Sequence, residues 1–268
     1  MISNWAYLAA AACALVLASL PLVHMLQLES YQGRMYLKWL GRHFASDVMP
    51  YLLVGAAALL LRCSYAMLFN TSYVLAQVCY IGADAVYLIL QLLLFLGYKR
   101  REQIKPLAFT GRVKRLLAAE FVLGALVAGS SFFIVRVDTG AMQWGTFLLQ
   151  NLVRYLPGLL LPLFVFLAYG VTYPLEAAIK RWYFNDAKKK LAAREDVTKI
   201  GITGSFGKTG TKYALGTILA QKHNVLFTPG SFNTPMGVTR VIREQLSDEH
   251  EIFIAEMGAR YRGDIREL

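Results

Sequence analysis

Cysteine is scarce in this chain of 268 residues, and the three present, Cys13, Cys63 and Cys79, lie in or beside apolar runs without CxxC spacing. That pattern excludes a disulfide framework and a thiolate metal site, and leaves the cysteines as small core hydrophobes. The four histidines, His24, His43, His223 and His250, are scattered without ligand spacing, so no metal is assigned to them. Charged residues make up only 17%, and acidic ones are outnumbered 17 to 28 by Lys and Arg. The net charge of +11 comes without a basic face interleaved with aromatics in the polar part of the chain, which argues against nucleic acid as a partner. No positive charge stands between Met1 and Trp5, and Cys13 lacks a basic start before it, so neither a cleaved signal peptide nor a lipoprotein signal is read. Internal repeats and paired interrupted apolar segments are also missing, which removes the usual signature of a transporter.

What the chain has in abundance is apolar sequence, 56% of residues, nearly all of it before residue 175. Runs near 4–25, 49–69, 72–97, 116–136 and 146–170 each approach the ~20 residues that cross a bilayer as a helix. The second and third form a hairpin around Asn70, whose Asn70-Thr71-Ser72 sequon is read as chance. Lys and Arg collect after the third run (Lys99, Arg100, Arg101, Lys105, Arg112, Lys114, Arg115) and after the fifth (Lys180, Arg181, Lys188, Lys189, Lys190). Both stretches are therefore expected on the cytosolic side of the cell membrane. The Asn70 turn, with no Lys or Arg, and the loop near 136–145, where Arg136 is offset by Asp138, are expected outside, together with the N-terminus.

Between Gln27 and Asp47, Arg34, Lys38 and Arg42 alternate with Tyr36, Leu37, Trp39, Leu40 and Phe44, a pattern open to two readings: an interfacial amphipathic helix or a plain linker. Arg62, Asp84, Glu120 and Arg154 fall inside the apolar runs and should face inward, since each is costly against lipid. Two readings are open here as well, a polar pocket for a head group or ion pairing between helices, Asp84 with Arg62 or Arg154.

After Tyr173-Pro174 a basic, partly apolar stretch reads as a helical connector, and then the pattern changes. Lys199–Thr203 is short and β-branched, runs into Gly204-Ser205-Phe206-Gly207-Lys208-Thr209, and is followed by a helix-compatible run from Gly210 to Gln221. Strand, glycine loop and helix aim backbone N–H groups and the positive end of a helix dipole at one point, which suits a phosphate. Lys208 is placed to reach the β- and γ-phosphates of ATP, and the Thr209 hydroxyl to ligate Mg²⁺. The full GxxxxGK[ST] pattern is absent, because Ile202 stands where it needs glycine, and the glycines at 201, 204 and 207 do not make GxGxxG. A shorter GxxGKT form remains.

A second element supports it. Ile252–Ala255 is a wholly apolar strand that delivers Glu256 at its carboxyl end, where ligands of parallel α/β sheets bind, so Glu256 is a second candidate Mg²⁺ ligand. Between the two lie a strand at His223–Thr228, a polar loop Pro229–Pro235, and a helix with Val238, Val241, Ile242 and Leu246 on one face. Asn233 and Thr234 have two open readings, contact with the γ-phosphate or acceptor, or capping of that helix. The fold expected is a membrane α-helical bundle of about five transmembrane helices followed by the start of an α/β P-loop domain with a mostly parallel sheet. Its parts are residues 1–172 as the multi-pass region, 173–197 as an amphipathic basic linker helix and 198–268 as the first part of the ATP-binding domain.

Thr203–Thr209, Asn233-Thr234-Pro235-Met236-Gly237, and Glu256-Met257-Gly258-Ala259-Arg260 leading to Gly263-Asp264-Ile265 together resemble the central ATPase domain of the Mur ligase family, most closely its D-alanyl-D-alanine-adding branch. The resemblance implies a reaction in which a substrate carboxylate attacks the γ-phosphate of ATP and an amine converts the acyl phosphate to an amide. It implies that Gly204, Ser205, Phe206, Gly207, Lys208, Thr209, Gly210 and Thr211 hold the nucleotide, with Asn233 near the γ-phosphate. Lys208 and Glu256 are then the catalytic pair, Thr209 and Glu256 hold Mg²⁺, and the partners are ATP, a carboxylate-bearing peptidoglycan precursor or similar acceptor, and the lipid bilayer. Gly210 stands where relatives place Ser or Thr, with Thr211 as the compensating hydroxyl, and Ser231 and Thr234 stand where the nearest branch often has asparagine. The nucleotide-sugar domain that usually precedes is replaced by apolar runs, so a lipid-linked precursor or a poly-glutamate-type surface polymer is also open as substrate. The family's ATPase domain continues well past the counterpart of Leu268, so the chain is expected to be part of a longer ligase; a non-catalytic scaffold or nucleotide-binding remnant is the competing reading.

Overall fold

A computed structural model describes residues 2–68, 72–100, 103, 105–134, 144–230 and 232–259. The Asn70 turn, Arg101, Arg136, Asp138, Ser231, Arg260, Gly263, Asp264 and Ile265 lie outside the described residues. The chain divides into two compact units at Pro174/Leu175.

The first unit is helical: α1 (Ile2–Leu28), α2 (Gly33–Arg42), a π-helical turn (Phe44–Val48) running into α3 (Met49–Leu68), α4 (Tyr73–Lys99), α5 (Gly111–Ser130), α6 (Trp144–Leu159) and the first half of α7 (Leu161–Ala192). The Ser72 and Thr110 hydroxyls cap α4 and α5 by accepting from Leu75 N and Val113 N. Among the described residues, five helical segments are long and apolar enough to cross a membrane: Ala6–Leu28, Phe44–Tyr65, Tyr73–Lys99, Gly111–Phe133 and Leu161–Ala192. No more than 50% of any of their apolar windows is buried in the protein, so most of this apolar surface points outward, as a lipid-facing bundle requires.

The expected fifth helix at 146–170 is corrected. It is two helices meeting at Leu160, and α6, at 16 residues, is about 24 Å long at ~1.5 Å per residue, short of a hydrocarbon core of ~30 Å. The break has a local cause. Pro162 has no N–H to continue the ladder of α6, and its fixed φ suits the first turn of a new helix, so Leu163 and Phe164 both donate to the Leu160 carbonyl (2.9 Å each). Helix α7 then runs unbroken through Tyr173-Pro174, where the sequence suggested a boundary.

The bundle core joins Leu15, Ala18, Leu22, Val23 and Leu26 of α1 to Val113 and Leu116 of α5 and Leu161, Phe164, Val165 and Ala168 of α7. Tyr36 and Leu40 of α2 are buried against it, with the Tyr36 hydroxyl donating to the Pro162 carbonyl (2.9 Å), while Arg34, Lys38 and Arg42 are exposed. The stretch is thus an amphipathic helix rather than a plain linker.

The inward ionisable residues are paired. Asp84 accepts from Arg154 Nη2 (2.8 Å) and Nε (3.1 Å), from the Tyr155 hydroxyl (2.7 Å) and from Arg62 Nη1 (3.4 Å), and Arg62 also donates to Asn151 Oδ1 (3.0 Å). Arg62 lies over the Tyr80 ring and Arg154 over the Tyr7 ring. Helices α3, α4 and α6 are therefore joined at one level by a single carboxylate, and α1 meets them through the Tyr7 ring against Arg154. Glu120 differs: it is fully buried, its Oε2 accepts from the Ser19 hydroxyl (2.5 Å), and it meets no cation among the described residues.

The second unit alternates strand and helix: β1 (Thr198–Ile202), α8 (Lys208–Leu219), β2 (Val225–Phe227), α9 (Pro235–Gln245) and β3 (Ile252–Glu256). The three strands are parallel in the order β1-β3-β2, with β3 buried along its whole length in the centre. Val238, Val241, Ile242 and Leu246 pack on Leu226, Phe253 and Ala255, together with Ala187 from the far end of α7. One of these elements is shorter than the sequence suggested and one is shifted: β2 has three residues of the expected six, and α8, with the expected length, starts at Lys208 and ends at Leu219, two residues early at each end. The register pairs Ile202 with Glu256, so the glycine loop leaving β1 and the acid ending β3 emerge side by side.

Candidate functional site

The site is built at the carboxyl ends of β1 and β3. Between β1 and α8 the chain turns through residues 203–207, and Gly207 adopts φ 74°, a left-handed conformation at the N-cap of α8 that a side chain would strain. No side chain caps α8, and the first N–H groups of a helix have no intrahelical partner, so its N-terminus presents donors toward the loop. Lys208 folds back over the loop and donates to the Gly204 carbonyl (2.6 Å). Ser205 is exposed, and Phe206 at the loop tip is 99% exposed. Gly210 and Thr211 lie in the exposed first turn of α8.

Glu256 is the hub. It is 2% exposed; its Oε1 accepts from Asn233 Nδ2 (3.1 Å), and its Oε2 from the Thr209 hydroxyl (3.0 Å) and the Lys212 ammonium (3.0 Å). Its backbone N–H donates to the Thr228 hydroxyl (3.1 Å). Burial opposes ionisation of this carboxyl, but the Lys212, Asn233 and Thr209 hydrogen bonds outweigh it and hold the pKa below the ordinary glutamate range. Glu256 is therefore an ionised, aimed carboxylate at neutral pH.

The structure brings together Thr209, Asn233 and Glu256, with Lys208 one residue before Thr209. It does not bring the side chains of Ser205, Phe206 or Thr211 into hydrogen-bond contact with Glu256 among the described residues. Of the two readings of the 229–235 loop, helix capping holds for Thr234, which accepts from Gly237 N (3.2 Å) ahead of Pro235, while Asn233 bonds Glu256. The Asn233 carbonyl also accepts from Gly258 N (2.8 Å), tying that loop to the end of β3.

Two participants were missed by sequence reasoning, Lys212 and Thr228. Lys212 is wholly buried, its ammonium donating to the Gly230 carbonyl (2.6 Å) as well as to Glu256. A signal existed: with buried Gly216 it marks the inward face of α8, where an apolar side chain is the rule, and a lysine there needs a buried acid. A hydroxyl and a carboxylate 3.0 Å apart are hard oxygen donors of the kind Mg²⁺ takes alongside phosphate oxygens and water, so the residues present fit that ion.

Comparison with known proteins gives one family. The sequence profile of the Mur ligase middle domain matches residues 202–268. Relatives named UDP-N-acetylmuramoyl-tripeptide–D-alanyl-D-alanine ligase are 44% identical over 66 residues in Synechocystis sp. (25% of this chain, 14% of the relative) and 37% over 70 in Treponema pallidum (26% and 15%). The Escherichia coli K12 relative of the same name is 36% identical over 66 residues, again 25% of this chain and 14% of the relative. The chain thus spans about a seventh of the length of these curated relatives. No solved structure gives a significant match. The segment 202–268 of this chain matches the Mur ligase middle domain, and the match takes in the glycine loop, Asn233 and the acidic strand that make the site.

Proposed function

We propose that this chain is the membrane-embedded, nucleotide-binding part of an ATP-dependent amide ligase of the Mur type, acting on a peptidoglycan precursor or a related envelope substrate. The observation that carries the reading is the meeting of Thr209, Asn233 and ionised Glu256 within 3.1 Å at the mouth of a glycine loop that holds Lys208, inside the matched segment.

In this reading the backbone N–H groups of Gly204–Thr209 and the N-terminus of α8 cradle the phosphates of ATP. Lys208 exchanges its bond to the Gly204 carbonyl for the β- and γ-phosphate oxygens. Thr209 and Glu256 would hold Mg²⁺, which would supply charge neutralisation for the phosphates when bound. Asn233, fixed by Glu256 and by its own carbonyl bond to Gly258, aims its amide beside the γ-phosphate. A substrate carboxylate oxygen attacks γ-phosphorus and ADP leaves; the amine of the second substrate then attacks the acyl carbon, phosphate leaves, and the amine gives up a proton. Apolar helices keep the protein at the membrane with the ligase segment on the Lys- and Arg-rich cytosolic face.

The test is phosphate release by the full-length protein in nanodiscs, supplied with ATP, a muramoyl-peptide carboxylate, either UDP-linked or lipid-linked, and an amine acceptor. Release is expected to require both substrates and to fall at least ~100-fold in Lys208→Ala. Release that ignores the acceptor, or survives Lys208→Ala unchanged, defeats the reading.

A further inference from the structure

Lys212 lies one helical turn beyond Lys208 and is fully buried, its ammonium 3.0 Å from Glu256 Oε2 and 2.6 Å from the Gly230 carbonyl oxygen. The other groups on the Glu256 carboxylate among the described residues are neutral, the Thr209 hydroxyl and the Asn233 amide. A buried carboxylate without a cation is costly, and here the chain itself supplies the cation. The oxygen that Lys212 holds is also the one that Thr209 touches, Oε2, so a divalent ion bridging Thr209 and Glu256 arrives at an oxygen already neutralised. One carboxylate cannot fully compensate both charges at contact distance.

Resting on the ligase reading and its metal assignment, we propose that Lys212 is a resident counter-ion for Glu256, which holds the carboxylate against Thr209 before a divalent cation arrives and weakens the site's grip on that cation. Lys212 is thus a positioning residue. Its second bond, to Gly230, anchors the ammonium to the loop after β2, so that it stays buried and hydrogen-bonded when the cation takes Oε2.

Hydrogen exchange of the amides of α8 and β3, in the full chain in nanodiscs, tests this with Mn²⁺ as the probe, against a metal-free control at matched ionic strength. In the unsubstituted protein Mn²⁺ is expected to slow exchange by less than about threefold, because the lysine already neutralises the acid. In Lys212→Met metal-free exchange is faster, and Mn²⁺ slows it about tenfold or more by taking the lysine's place. The rescue is expected to vanish in the double variant Lys212→Met/Glu256→Gln. Lys212→Gln, which keeps a donor toward Gly230 without the charge, is expected to follow the same pattern and decides the matter if Lys212→Met does not fold. Equal slowing by Mn²⁺ with and without Lys212 overturns the counter-ion role while leaving Glu256 as a metal ligand. No response in any of the proteins, or a response that survives Glu256→Gln, overturns the proposal and the metal assignment together.

Discussion

Replacing Asp84 by asparagine keeps the shape of the side chain and removes one charge from a group of three inside the helical bundle. Arg62 and Arg154 are 2% and 7% exposed and Asp84 19%, so little solvent is at hand to take its place. With the amide oxygen in the place of Oδ1, the substitution loses the two contacts at Oδ2, from Arg154 Nη2 at 2.8 Å and from Arg62 Nη1 at 3.4 Å, and turns an amide N–H₂ toward both guanidinium groups. Unit charges ~4 Å apart attract by about 4 kcal/mol at an effective dielectric of ~20, and breaking a buried pair typically costs about 3–5 kcal/mol. With the partial exposure of Asp84 discounted, we expect Asp84→Asn to destabilise the bundle by about 3 kcal/mol. Unfolding of the detergent-solubilised chain, followed by near-ultraviolet circular dichroism, measures this. A cycle with Arg154→Met should return a coupling of about 1.5–3 kcal/mol. A loss below about 0.5 kcal/mol for Asp84→Asn would refute the reasoning, since the arginines would then be solvated by something other than Asp84.

Three further outcomes follow from the second unit. Gly207→Ala places a side chain at φ 74° and should cost about 1 kcal/mol of local stability while weakening ATP binding, read by hydrogen exchange and by titration with a fluorescent ATP analogue. Thr234→Ala removes the acceptor for Gly237 N at the start of α9 and should cost about 1 kcal/mol in denaturant unfolding, with Thr234→Ser nearly neutral. Because the folded-state pKa of Glu256 lies below its unfolded value, its contribution is fully present above the unfolded carboxyl pKa and is lost as pH falls through the folded one. Acid unfolding of the segment should therefore be less steep in Glu256→Gln; an unchanged pH profile would refute that linkage.

Much of this site was legible before any coordinates because its parts are local. A glycine that must take φ 74°, a lysine and threonine opening a helix, and an acid ending a five-residue apolar strand are fixed by neighbours in sequence. Five apolar runs likewise declare themselves, since crossing a bilayer sets a minimum length that the residues either meet or do not. The break at Leu160 was masked because hydropathy taken over a long run hardly registers a single proline, whose effect is geometric.

The pairing of Asp84 with Arg62 or Arg154 was one of two readings open in the sequence; tertiary structure decided between them, brought both arginines to the one acid, and brought Lys212 to Glu256. Asp84 lies 22 residues from Arg62 and 70 from Arg154, and Lys212 lies 44 residues from Glu256; such distances in sequence carry no register. Sequence determined that Asp84, Arg62 and Arg154 had to face inward, because an unpaired charge cannot be buried cheaply. The packing of α4 against α3 and of α8 against β3 chose the partners. It also divided two neighbours in one loop, sending Thr234 to the helix end and Asn233 to the carboxylate, a choice settled by the position of β3 in the middle of the sheet.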